Sequence, residues 1–218
     1  METNNFLLKN AAGTRADWKE VGYEHYLKVY AELKLEEAAS RCALPLEGGK
    51  LRIRFMGEEY GITHPEFSMT ALEGAREASL PERMLVLRYL CEGKWMPAAG
   101  KTLSYREVPW GETYFANFDG RCLKRLARMY GASPEAFCAY FENAAFAVKL
   151  EKKTGWRFEF MTGLHFEFII WEGDDEFPTQ AQILFDDNIP AAFSAEDLAV
   201  AGDCALSRIK TAMSSAQR

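Results

Sequence analysis

Between Leu164 and Asn188 the chain reads LHFEFIIWEGDDEFPTQAQILFDDN. Glu172, Asp174, Asp175 and Glu176 place four carboxylates within five residues, and Asp186 and Asp187 add a pair further on. Carboxylates this close repel one another unless water or a cation offsets them. Hard cations such as Ca²⁺ and Mg²⁺ prefer oxygen ligands, which makes Asp174, Asp175 and Glu176 candidate metal ligands. The stretch lacks the alternating ligand pattern of a calcium loop. A turn that is solvated, or paired with arginine, needs no metal.

A second concentration of polar and aromatic groups lies in GKTLSYREVPWG, Gly100 to Gly111. Tyr105, Arg106, Glu107 and Trp110 could form a recognition surface, or a rigid turn between two helices. With Trp171, Glu172, Asp174, Asp175, Glu176 and Asp186 they make up the candidate ligand- or partner-binding residues. Arg121, Lys124, Arg125 and Arg128 form a basic band that suits a phosphate or acidic partner, although a solvated helix face explains it too. His165 stands close to the acidic turn, while His25, beside a tyrosine stripe, reads as packed or solvated.

No GxxxxGK[ST], GxGxxG, HExxH or GxSxG occurs, so nucleotide-loop, zincin and common hydrolase readings lose their usual support. Five cysteines are scattered without CxxC spacing, and no iron–sulfur or zinc motif is present. They read as reduced, buried thiols. A net charge of −6 argues against nucleic-acid binding, which neutralises phosphates with Lys and Arg. No run approaches the roughly 20 apolar residues of a membrane span, and no charged region precedes an apolar one at the start. The expectation is a cytoplasmic protein with no nucleic-acid or membrane partner.

The elements around these groups follow from periodicity. Residues 1–15 read as a leader, 16–213 as one domain and 214–218 as a fraying tail. From Asp17, Tyr23, Tyr26, Leu27, Tyr30 and Leu33 recur at helical spacing. Leu35 to Cys42 continues as a short helix. Leu51 to Phe55 alternates, turns at Gly57 and returns near Tyr60 to Thr63, the mark of a hairpin. Met69 to Ala78 reads as loop or weak helix. Ser79, Pro81 and Glu82 open a buried helix with a capping box. Glu112 to Tyr130 reads as one long helix with a stripe of Phe115, Phe118, Cys122, Leu126 and Met129. Ser133-Pro134 opens another, and Ser194 with Asp197 caps the last. Trp156 to Phe160, Leu164 to Ile170 and Gln182 to Phe185 read as an antiparallel meander. The fold class expected is α+β: an antiparallel sheet packed against several helices in one domain.

The runs SYREVPWGETYFANFDGR and WEGDDEFPTQAQILFDDN, with the helix start at Ser194 to Leu198, resemble the bacterial and archaeal family called domain of unknown function 3786. The resemblance spans roughly Leu44 to Ile209. It implies no established activity. It does imply proximity to redox or corrinoid enzymes of anaerobes, whose relatives in some cases carry a cysteine-rich iron–sulfur segment that this chain lacks. The leading expectation is a non-catalytic accessory protein that binds a cofactor, whose identity stays open, or a redox or corrinoid-system partner. One alternative is a metal-assisted enzyme using Glu172 to Glu176 with His165 or Arg106. Another is a scaffold in which the acidic turn pairs with Arg106 or the Arg121 to Arg128 band.

Overall fold

Helical spacing at the start of the chain becomes α1 (Trp18–Ala31), which buries Tyr30 completely and packs Tyr23, Tyr26 and Leu27 partly on the core, leaving His25 exposed. The computed structural model describes residues 18–151 and 154–216, so the expected leader and Asp17 lie outside the described residues. Next come α2 (Leu35–Arg41) and a two-residue β1 (Leu46–Glu47) antiparallel to β2 (Lys50–Phe55). A tight turn leads to β3 (Glu58–Thr63) and completes the expected hairpin. Gly57 holds that turn at φ 78°, and a Cβ there would strike the Phe146 ring.

Ser68–Ala71, expected as loop or weak helix, is a strand, β4, in which Met69 pairs with Ile62 and Ala71 with Tyr60. A segment with little local preference takes its conformation from the unpaired edge beside it. The capping box at α3 (Leu80–Glu92) is present. Ser79 donates its N–H and its hydroxyl to Glu82 Oε2 at 2.7 and 2.9 Å. The Gly100–Gly111 connector is more ordered than a loop. Thr102–Ser104 is a strand, β5, and Tyr105–Glu107 a 3₁₀ turn.

The long helix expected over Glu112 to Tyr130 divides into α4 (Gly111–Phe118) and α5 (Lys124–Ala132), joined by a π-helical turn at Asp119–Leu123. Phe118, Cys122 and Leu126 are four residues apart and all fully buried. The wider π turn keeps such a spacing on one face where a regular helix would let it drift. Then follow α6 (Pro134–Glu142), β6 (Ala147–Lys149), β7 (Thr154–Met161), β8 (Leu164–Trp171), β9 (Gln180–Asp186), the single turn α7 (Ile189–Ala192) and α8 (Ala195–Ala216). Helix thus continues into the stretch expected to fray.

The meander β7–β8–β9 is the centre of one antiparallel sheet ordered β4-β3-β2-β7-β8-β9-β5, with β1 on β2 and β6 on β7. The N-terminal hairpin joins through a single pair, Phe55 with Met161. Alternation sends Trp156, Phe158, Phe166, Phe168 and Phe185 to the helix-packed face. There Phe141 stacks on Trp156 at 5.2 Å and Phe118 meets Phe185 at 6.0 Å. Helix α8 runs along this layer and closes it. Gly202 lets α8 approach the π turn, because a Cβ would come 2.8 Å from Cys122 Sγ.

Candidate functional site

The aromatic-polar connector builds the most distinctive surface of the molecule. Ser104 donates its N–H to Glu107 Oε2 at 2.7 Å and closes a capping box around the 3₁₀ turn. These bonds hold the Glu107 carboxyl below its usual range. Tyr105 turns inward. Its ring stacks on Phe118 at 3.9 Å, its hydroxyl donates to the Ala195 carbonyl at 2.7 Å, and burial pushes it up to about 12. Arg106 lies over the Phe115 ring at 3.6 Å and pairs with Glu112. Of the four predicted residues, then, three brace the loop.

Trp110 does the opposite. It is 77 % exposed and sits in the left-handed region at φ 65°. That conformation costs a non-glycine residue about 1–2 kcal/mol. The next residue, Gly111, has no room for a side chain, since its Cβ would collide with the Tyr105 carbonyl. Buried Tyr105 and Val108 on one side and Gly111 on the other therefore fix the backbone that holds the indole out in water.

Beneath Trp110 is a cleft of about 250 Å³ between the end of α3 and the start of α8, walled by Pro109, Pro190 and Phe193. Arg88 forms its floor, donating to Asp197 Oδ1 at 2.8 Å and lying 3.5 Å from Glu92. The guanidinium also stands 5.2 Å from the Tyr26 ring centroid, and its buried Nε has no partner among the described residues. Burial alone would lower the Arg88 pKa. The Asp197, Glu92 and Glu196 carboxylates overcome it and raise it. Asp197 is placed by the expected cap of α8, accepting from the Ser194 hydroxyl at 2.7 Å. Sequence reasoning singled out neither Arg88 nor Asp197 for this site; the only signal was one arginine in the otherwise apolar run Met84 to Cys91.

The acidic turn does not converge. Glu172 accepts the Tyr130 hydroxyl at 2.9 Å, and Asp174 Oδ1 accepts the N–H groups of Phe177 and Glu176 at 2.8 and 2.9 Å. Those two backbone bonds hold the Asp174 carboxyl below its usual range. Asp175 and Glu176 face solvent, as does Trp171 at the strand end. Among the described residues no group of three or more His, Cys, Asp or Glu is arranged to hold a metal ion. Cations offered as possible partners of this turn pair elsewhere. Arg106 pairs with Glu112, Arg121 and Arg125 with Asp203, and Lys124 with Asp119. Among the described residues none of these cations pairs with Glu172 to Glu176.

Asp186 belongs to a separate cluster on the other face of the sheet. It is 4 % exposed, takes both terminal nitrogens of Arg157, and lies 3.4 Å from His165 Nδ1. Burial alone would raise its carboxyl, and the His165 and Arg157 side chains overcome this and hold it low. Arg54 grips Glu159 with two bonds at 2.9 and 3.1 Å on the same face. Asp186 is thus saturated by its neighbours.

An antiparallel sheet with helices over one aromatic face, Trp110 held out in solvent and a small charged cleft define a single-domain α+β protein. The chain belongs to the family described as Domain of unknown function (DUF3786), whose model matches residues 34–208. No curated protein and no solved structure matches it. No helix among the described residues is long and apolar enough to cross a membrane.

Proposed function

We propose that the protein is a non-catalytic binding protein that docks a partner polypeptide on the Trp110 edge of the cleft. The observation that carries this reading is Trp110 itself, held in an unfavourable backbone conformation with its indole 77 % exposed. A large apolar side chain gains nothing for folding at such a position, whereas tryptophan is a preferred anchor in protein interfaces. Tyr114, 45 % exposed, extends the aromatic rim. Glu92 lines the cleft with an exposed carboxylate, exposed Glu196 acts on Arg88 from nearby, and Arg88 is paired with Asp197. The complementary partner presents an apolar residue flanked by Lys or Arg. Its setting in cytoplasmic, bacterial redox or corrinoid-linked metabolism is part of the proposal and draws on the family resemblance.

Trp110→Gly tests it, because glycine relieves the strain. The variant should melt no lower than wild type. In quantitative native co-purification it should lose a protein that wild type retains at stoichiometric amount. Equal retention of every partner by wild type and variant would remove the proposal.

A further inference from the structure

Two grooves flank Arg128, and both are lined without a carboxylate. One, of about 480 Å³ between α5 and the end of α8, is lined by Arg125, Arg128, Lys210, Ser133 and Met213 among others. The other, of about 550 Å³, has Lys124 and Arg128 on one wall and Thr179 on the other. In a chain of net charge −6 this is a local reversal of sign. The basic band seen in the sequence therefore divides: Asp203 pairs with both Arg121 and Arg125, Asp119 pairs with Lys124, and Arg128 forms no ion pair among the described residues.

Arg128 donates Nε to the Lys124 carbonyl at 3.3 Å, and its two terminal nitrogens have no partner among the described residues. Lys210, from α8, faces the same groove and forms no ion pair among the described residues. Arg125 is anchored there by Asp203 and by the Ser207 hydroxyl at 3.1 Å. Ser133 is the N-cap residue of α6, but its hydroxyl makes no capping bond, and it too lines the groove. A cation in the last turns of a helix can serve the helix dipole, which accounts for Lys210 alone. It does not account for Arg128 in the middle of α5 or for the idle hydroxyl. Met129 and Met213 supply an apolar wall beside the charges.

We infer that the groove between α5 and α8 is a binding site for a soluble phosphate ester. Arg128 and Lys210 would hold the phosphate with charge-assisted bonds, Ser133 would donate to it, and the two methionines would cover the ester's apolar group. The site is distinct from the Trp110 cleft.

Calorimetric titration of the full chain at low ionic strength with phenyl phosphate, and separately with inorganic phosphate, tests this. Phenyl phosphate should bind saturably and more tightly than inorganic phosphate. The R128A/K210A double variant, whose changes are both exposed and should leave Tm unaltered, should bind it at least about tenfold more weakly. Lys34→Ala, remote and exposed, should bind like wild type. Absence of saturable binding, or equal affinity in wild type and double variant, overturns the site. Binding to vesicles containing phosphatidic acid with none to phenyl phosphate overturns the soluble-ligand assignment.

Discussion

Arg208 shows how much a single side chain can hold. At 5 % exposure it donates Nε to Glu82 at 2.7 Å, one terminal nitrogen to Glu58 and the Phe55 carbonyl at 2.8 and 2.9 Å, and the other to the Tyr60 hydroxyl at 2.8 Å. Glu82 in turn caps α3. Removing one partner of a buried pair leaves the other charge uncompensated, so Arg208→Ala should cost about 3–5 kcal/mol in denaturant unfolding at neutral pH. Burial alone would raise the Glu82 carboxyl, but Arg208, with help from Ser79 and Arg76, holds it below its ordinary 4.5. A depressed carboxyl stabilises the fold fully above the unfolded value and loses that contribution as pH falls through the folded value. The gap between wild type and Arg208→Ala should therefore narrow in acid. A gap that stayed constant with pH would show that Glu82 does not carry it. Asp174, by contrast, is committed to its own turn. Titration with Mg²⁺, Mn²⁺ or Ca²⁺ should give the same heats for wild type and Asp174→Ala, and a metal-dependent heat lost in the variant would restore the metal-assisted reading.

At the scale of elements, the π turn and α8 depend on each other. Cys122 donates its thiol to the Ala199 carbonyl at 3.4 Å, and the absence of a side chain at Gly202 makes room for it. Burial pushes the Cys122 thiol up to about 12, so it packs as a small apolar group. Gly202→Val should lose about 1–3 kcal/mol by overpacking. Adding Cys122→Ala should return part of that loss, with a coupling of at least about 0.5 kcal/mol in a double-mutant cycle. Strict additivity would mean that the helices meet elsewhere. The same contact explains why a single long helix was expected. Residues 112 to 130 contain no proline to announce a break, and the turn packs on a helix far along the chain, as the Cys122–Ala199 bond shows.

Across the whole molecule, the sequence located the meander and the N-terminal hairpin by periodicity and the capping boxes at Ser79 and Ser194 by residue type, though not the one at Ser104. Those features depend on side chains no more than a few residues apart, or on alternation that local backbone sterics impose. The strand inside the Gly100–Gly111 connector and the π turn were not legible, because each packs on a distant strand or helix, and β4 was not, because its own residues have little strand preference and it is ordered by pairing with β3. The candidate site was half legible. Tyr105, Arg106, Glu107 and Trp110 stood out by composition, yet only packing shows that the first three brace the loop and the fourth is displayed.

Charge follows the same division. The chain alone determined that cations cluster on one helix and carboxylates in one turn, since that is a matter of order along the backbone. Tertiary structure decided which of them meet. Asp203 reaches Arg121 and Arg125, Tyr130 takes Glu172, Arg157 takes Asp186, and Arg128 and Lys210 are left facing a groove. Ion pairing falls off within ångströms, and the packing of the helices on the sheet sets those distances.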